Sequence, residues 1–133
     1  MPSNGDDIMK KKRLTKYDSK IIEELKKLPS PIHDKRHNWD IYFTNDRARS
    51  NQNRFEHISR FFHELTAKDI KSIPEAIASG AILKMEKGRK DTFNYYFLRK
   101  GPAKRYVKIS VQIFDWKRRS VKVKTIVTTN KLK

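Results

Sequence analysis

The chain has 133 residues and a formal net charge of +17, from 32 Lys and Arg against 15 Asp and Glu. This length fits one domain, and the lack of cysteine excludes a disulfide scaffold, a thiol nucleophile and a thiolate metal site. No apolar run approaches the roughly 20 residues that a membrane-spanning helix needs, and the N-terminus lacks the apolar region of a secretion signal.

The N-terminal region combines a basic arm with a short helix. Residues 1–17 include the run Lys10-Lys11-Lys12-Arg13 and have no apolar period, which predicts a mobile basic arm before a single domain over residues 18–133. Apolar side chains then recur at spacings of three and four and predict a helix over residues 19–28, formed around Ile21, Ile22, Leu25 and Leu28. Asp18 or Ser19 can cap it. A polar loop follows, with a strand-like patch at residues 39–43.

Two further helical segments are predicted before the chain changes its period. An apolar stripe predicts a helix over residues 51–65, formed by Phe55, Ile58, Phe61, Phe62 and Leu65. Thr66 and Asp69 form a capping pair for helical turns over residues 67–79. Within that segment Ser72 and Pro74 start a second short turn, which ends at Gly80.

Beyond Gly80 the apolar period is two, and strands are expected at residues 82–85, 92–99, 104–114 and 120–128. In the third strand, Val107 to Ile113 alternate with a polar row that includes Lys108. Strict alternation in the fourth strand places Thr125 on the apolar face, and Lys124 and Ile126 on the polar face. The predicted fold is α+β, with N-terminal helices packed on one face of a four-stranded antiparallel meander sheet.

The sheet region holds most of the charge. Residues 81–133 carry 16 Lys and Arg against 3 Asp and Glu, an excess that attracts a polyanion because bound phosphates release condensed counterions. An anionic membrane is the competing partner, but it usually binds a basic amphipathic helix rather than strands, so no membrane partner is expected. The predicted RNA-binding residues are Arg60, Arg99, Lys104, Arg105, Tyr106 and Lys122.

Four histidines are the natural candidates for proton transfer near neutral pH. His57 lies at the margin of the apolar stripe of the second helix, with Arg60 on the same ridge. The alternative is that His57 only covers the edge of the core. His33 and His37 have a metal-compatible spacing, but no third ligand is evident, and no metal or other cofactor is expected.

The order of parts resembles the barnase–EndoU–colicin–RelE-like (BECR) nucleases, especially their branch associated with phages and mobile elements. In that group a His-Ile pair and a Leu-Thr-x-x-x-Ile-x-x-Ile-Pro stretch precede the sheet, and Lys-Thr-Ile closes it. The matching residues here are His57-Ile58, residues 65–74, and Lys124-Thr125-Ile126. The resemblance covers about residues 50–130. By position it implies a catalytic role for His57, Lys124 as the cation nearest the phosphate, and Thr125 as a phosphate-binding hydroxyl.

The resemblance implies a metal-independent endoribonuclease of the toxin or effector type. In that reaction the RNA 2′-hydroxyl attacks phosphorus to give a 2′,3′-cyclic phosphate. We expect His57 to act as base or acid there, with Lys124, Lys108 and Arg105 holding the phosphate. Lys124 and Thr125 can both serve only if a bulge or a strand end breaks the pleat between them. The implied partners are RNA, either tRNA or mRNA, and an acidic immunity protein or antitoxin, with a cytoplasmic site of action reached by delivery as an effector domain. The alternative function is a non-catalytic basic RNA- or DNA-binding module.

Overall fold

A computed structural model of the chain describes residues 17–49, 51–60, 64–101 and 104–130. The predicted basic arm therefore lies outside the described residues except for Tyr17, as do Phe61 and Phe62 of the predicted apolar stripe. The helices are α1 (Ser19–Lys27), α2 (Arg54–Ile58), α3 (Ala67–Lys71) and α4 (Ile73–Ser79). The strands are β1 (Ile32–Asp34), β2 (Trp39–Tyr42), β3 (Arg47–Arg49), β4 (Gln52–Asn53), β5 (Ile82–Met85), β6 (Thr92–Leu98), β7 (Tyr106–Asp115) and β8 (Ser120–Thr129).

The main sheet has six strands in the order β1-β2-β8-β7-β6-β5, and β3 and β4 form a separate two-stranded sheet. Strand β2 runs parallel to β8, whereas the other neighbours in the main sheet are antiparallel. The predicted four-stranded antiparallel meander is therefore wrong, although the fold is α+β. Strand β1 was missed, and β2 was expected only as a strand-like patch, because three and four residues are too few to display a clear period.

A β-bulge in β8 changes the side-chain alternation that the sequence predicted. Ser110 of β7 lies opposite Thr125, but the next residue, Val111, lies opposite Val123, so Lys124 is the extra residue. Beyond the bulge the faces are exchanged relative to strict alternation. Ile126 is fully buried in the core, at 0% exposure, and Thr125 moves to the polar face beside Lys124. The predicted positions of Ile126 and Thr125 are thus corrected by one inserted residue.

Helix α1 occupies the segment predicted for the first helix because its cap and apolar side chains are local signals. The Asp18 side chain accepts hydrogen bonds from the backbone N–H groups of Lys20 and Ile21, and Ile21 and Leu25 are buried. The Thr66–Asp69 pair is a reciprocal capping box: Asp69 N donates to Thr66 Oγ1 over 3.2 Å and Thr66 N donates to Asp69 Oδ2 over 2.8 Å.

The helix predicted for residues 51–65 is wrong in length. Residues Gln52–Asn53 form β4, and α2 ends at Ile58. The Ser59 carbonyl oxygen accepts a hydrogen bond from Asp18 N over 3.0 Å, and Arg60 forms a β-bridge with Tyr17. Pairing with a segment distant in sequence thus replaces the next helical turn, an effect that local propensity does not reveal.

One face of the main sheet carries the hydrophobic core. Core residues from the helices include Ile21, Leu25, Phe55, Ile58, Ile70, Ile73 and Ile77, and they form one cluster with the inward residues of β2, β6, β7 and β8. The opposite face of β7 presents Lys108, Ser110 and Gln112, all half-buried. None of the described helices has the length and apolarity required to cross a bilayer.

Candidate nucleic-acid interface

A cleft of about 350 Å³ lies on the polar face of the sheet. It is bounded by the β5–β6 turn, the start of β6, and the middle of β7 and β8. Its lining residues are Glu86, Arg89, Thr92, Lys108, Ser110, Val111, Gln112, Lys124 and Thr125. The side chains at its base come from neighbouring strands of one sheet, which hold polar groups more rigidly than loops do.

The bulge in β8 brings two of the predicted catalytic residues into this cleft beside a third, Lys108. Lys124 and Thr125 are consecutive, and a regular strand would send them to opposite faces. Because Lys124 is the inserted residue, both line the cleft together with Lys108 from β7. The bulge therefore breaks the side-chain alternation between Lys124 and Thr125, which is the condition under which both residues were predicted to serve at the same site.

Lys124 sits in a strongly cationic environment. Arg54 Nη1 donates to the Lys124 backbone oxygen over 2.9 Å, and Asp46 bridges Arg54 and Lys122 at 3.1 and 3.3 Å. Burial, followed by the positive charges of Arg54 and Lys122, lowers the pKa of the Lys124 ammonium group. Among the described residues, no carboxylate forms an ion pair with Lys108 or Lys124. Both cations are therefore available to an anionic ligand.

Glu86 is a carboxylate at this cationic cleft that the sequence reasoning missed. Ser110 Oγ donates to Asn94 Oδ1 over 2.7 Å, and Asn94 Nδ2 donates to Glu86 Oε2 over 3.1 Å. Asn94 is only 5% exposed, so the relay orients the carboxylate from a buried position. The sequence could have indicated Glu86, because acidic residues are rare in this part of the chain. It is one of only 3 acidic residues in the segment from residue 81 onward.

His57 lies elsewhere. Its Nδ1 is 3.2 Å from Gln52 Oε1, Gln52 Nε2 donates to the Tyr17 hydroxyl oxygen, and Arg60 Nε donates to the His57 backbone oxygen. Among the described residues, those that line the cleft do not include His57 or Arg60. Burial, followed by the positive charge of Arg49 in β3, lowers the pKa of Arg60.

The remaining predicted RNA-binding residues fall into two groups. Arg105 and Lys122 are held in ion pairs, with Glu64 at 2.8 Å and with Asp46 at 3.3 Å. Arg99, Lys104 and Tyr106 line a separate cavity of about 510 Å³ near α3 and α4, and Arg99 is paired there with Asp69 at 3.0 Å. The predicted set is thus distributed over several surfaces.

The two histidines with metal-compatible spacing are each bonded to an aspartate. His33 Nδ1 is 2.7 Å from Asp40 Oδ1, and His37 Nδ1 is 2.9 Å from Asp34 Oδ2. Asp34 is 1% exposed and also accepts a hydrogen bond from the Tyr95 hydroxyl over 2.5 Å, so its carboxylate links His37, in the turn after β1, to Tyr95 of β6. In the described part of the chain, no group of three or more His, Asp or Glu side chains is arranged to hold a metal ion.

Comparison with known proteins does not indicate what this cleft binds. Comparison of the chain with protein-family models, with curated proteins and with solved structures finds no match. The likeness to the BECR nucleases therefore stays a prediction from the sequence, and a functional proposal has to be argued from the cleft itself.

Proposed function

We propose that this chain binds RNA in the cleft on the polar face of the sheet and cleaves it as a metal-independent endoribonuclease. The observation that carries the proposal is the convergence of Lys108, Lys124 and Thr125, which the bulge in β8 makes possible. Two ammonium groups and a hydroxyl within one cleft match the donors that stabilise a phosphate as negative charge grows on its oxygens. The sequence resemblance to BECR nucleases supports the same reaction.

The reaction requires a proton acceptor for the 2′-hydroxyl and a proton donor for the leaving 5′-oxygen. Glu86 supports the first role, because its carboxylate lines the cleft and is oriented by Asn94. The 2′-oxygen bonds to phosphorus as its proton passes to Glu86, and the bond from phosphorus to the 5′-oxygen breaks. Lys124 can protonate that 5′-oxygen, since a lowered pKa makes an ammonium group a better acid. The products are a 2′,3′-cyclic phosphate and a 5′-hydroxyl.

The resemblance gives the proton-transfer role to His57, whereas the cleft favours Glu86. The two assignments predict different variants to be inactive. If Glu86 is the acceptor, Glu86→Gln should lower cleavage at least about a hundredfold and leave RNA affinity equal or higher, because a negative charge is removed. His57→Ala should then reduce cleavage only slightly. The reverse order of effects would return the role to His57.

The central experiment is incubation of the purified protein with total cellular RNA and EDTA, followed by mapping of fragment ends. Discrete fragments that end in 2′,3′-cyclic phosphate are expected, and single-stranded DNA should stay intact because it lacks the attacking hydroxyl. Lys108→Ala with Lys124→Ala should abolish cleavage. The matched control is Lys20→Ala with Lys26→Ala, which removes the same charge from the exposed face of α1. Intact RNA with the wild-type protein would overturn the catalytic proposal.

A second candidate is a non-catalytic RNA- or DNA-binding module. The observation that favours it is the position of His57, which is hydrogen-bonded to Gln52 outside the cleft. A pure binder would retain salt-dependent affinity for RNA and DNA alike and would release no fragments.

For the catalytic function, we further propose that an acidic immunity protein neutralises the chain and that its substrate is a cytoplasmic tRNA or mRNA.

A further inference from the structure

A second cavity lies between α3, α4 and the edge of the main sheet. At about 510 Å³ it is larger than the cleft that contains Lys108, Lys124 and Thr125, which we call the phosphate cleft. Its walls come from α4, β5, β6 and the start of β7. Its lining includes three lysines, two tyrosines and a leucine: Lys68, Lys100, Lys104, Tyr96, Tyr106 and Leu98.

This cavity adjoins the phosphate cleft through a single cross-strand pair. Tyr96 of β6 lies directly opposite Lys108 of β7, and directly opposite residues project from the same face of a sheet. Tyr96 lines the cavity and Lys108 lines the cleft. Two residues along β7, Tyr106 also lines the cavity, roughly 7 Å from Lys108 at the rise of a strand. A ligand that crosses Lys108 therefore reaches the cavity next.

The surface of the cavity combines exposed apolar groups with cations. Leu98 is 55% exposed and Ile82 is 44% exposed, although both are large apolar side chains. Lys68, Lys100 and Lys104 are exposed at the same cavity, while Glu75 is its exposed acidic residue. Asp69 does not add free negative charge, because it is paired with Arg99 at 3.0 Å. An occupant should therefore have a flat apolar face and a negatively charged backbone.

We propose that this cavity binds the nucleobase next to the phosphate held in the cleft, with the Tyr106 ring stacked on the base and the lysines near its flanking phosphate. The inference rests on the proposed RNA binding and extends it to base recognition. A stacked base tolerates many sequences, since every base has an aromatic face. Hydrogen bonding at the base edge by polar groups of α4 would add preference for one base.

The test measures the affinity of a labelled single-stranded RNA octamer in EDTA, with 2′-O-methyl groups to prevent cleavage. Tyr106→Ala should weaken binding roughly tenfold to a hundredfold, the effect of losing one stacked base. Tyr106→Phe should retain affinity because it keeps the ring. Tyr42→Ala is the matched control, since Tyr42 lies on β2 and packs against Phe114 rather than the cavity. Thermal unfolding of each variant checks that the fold is retained.

A second comparison uses octamers with one abasic nucleotide placed at each position in turn. One position should weaken binding to the wild-type protein and leave binding to Tyr106→Ala unchanged, because the contact is already lost. If Tyr106→Ala does not fold, Lys68→Ala with Lys104→Ala serves instead and should weaken binding at that same end of the octamer. Wild-type protein without affinity for the octamer would refute RNA binding itself. Wild-type affinity that no abasic position and no cavity variant reduces would overturn the base site alone.

Discussion

Arg54 in α2 donates a hydrogen bond from Nη1 to the backbone carbonyl oxygen of Lys124, over 2.9 Å. The same guanidinium contacts Asp46 through Nε at 3.1 Å and is only 6% exposed. A bulge leaves its extra residue outside the regular ladder, and Arg54 supplies a partner for that residue. One buried side chain thus joins the helix layer to the irregular part of β8.

Replacement of this side chain should weaken the fold and the cleft together. Arg54→Met is expected to lower the free energy of unfolding by about 2 kcal/mol, because it leaves the Lys124 carbonyl oxygen and Asp46 without this donor. Urea denaturation measures the change. Arg118→Met, at an exposed position in the β7–β8 turn, should stay within about 0.5 kcal/mol of the wild type. Equal stabilities for the two variants would contradict the role of Arg54.

The pH dependence of stability should carry a contribution from Asp46. Burial raises the pKa of this carboxyl, but its hydrogen bonds and charge interactions with Arg54 and Lys122 outweigh burial and lower the pKa overall. A carboxyl with a lowered pKa in the folded state stabilises the protein above its unfolded pKa of about 3.9 and loses that stabilisation as the pH falls through the folded value. The wild type should therefore be more stable than Asp46→Asn at pH 5 and 7, and the difference should shrink at pH 3. A difference that is constant across these three denaturation series would contradict this assignment.

Lys124 should contribute to ligand binding at some expense to stability. Its lowered pKa means that the folded environment disfavours the charged ammonium group. The free energy of unfolding of the wild type should therefore increase as the pH rises from the folded pKa of Lys124 toward its unfolded value of about 10.4. At pH 7, Lys124→Met should unfold at the same temperature as the wild type or higher, with weaker RNA binding. A large fall in melting temperature would show that Lys124 is a structural residue.

Deletion of Lys124 should regularise β8. Without the extra residue, Ser110 still lies opposite Thr125, and Val123 and Ile126 stay on the core face. We expect the deletion variant to keep its fold by circular dichroism and to lose RNA affinity as the cleft is flattened. Deletion of Lys108 is the control, since it removes a residue from the regular part of β7 and shifts one side of the strand to the wrong face. That control should unfold.

Local signals predicted the elements that depend on neighbouring residues. The Asp18 cap, the Thr66–Asp69 capping box and the alternation of β7 each involve residues within a few positions of one another, and all are present. The strand-like patch near Trp39 was visible, but its parallel pairing with β8 joins residues about 80 positions apart, as in Asp40 opposite Ser120. Such long-range pairing leaves no local pattern to detect.

The candidate site was predictable in its charge and not in its arrangement. The excess of Lys and Arg after residue 81 identified the polar face of the sheet, and Lys108 is placed on it by simple alternation. The bulge at Lys124 shifts the phase by one residue without a Gly or Pro to mark it, so Thr125 was placed on the wrong face. Glu86 became visible only when Asn94 and Ser110 were seen to orient it.

The interior position of β8 has a consequence for synthesis of the protein. This strand lies between β2 and β7, yet it follows both of them in the chain. Until the ribosome has released residues 120–129, the two earlier strands expose unpaired edges that invite aggregation, and Lys124 and Thr125 are missing from the cleft. A nascent chain that lacks residues 120–129 should therefore be prone to aggregation, and its cleft should still be incomplete.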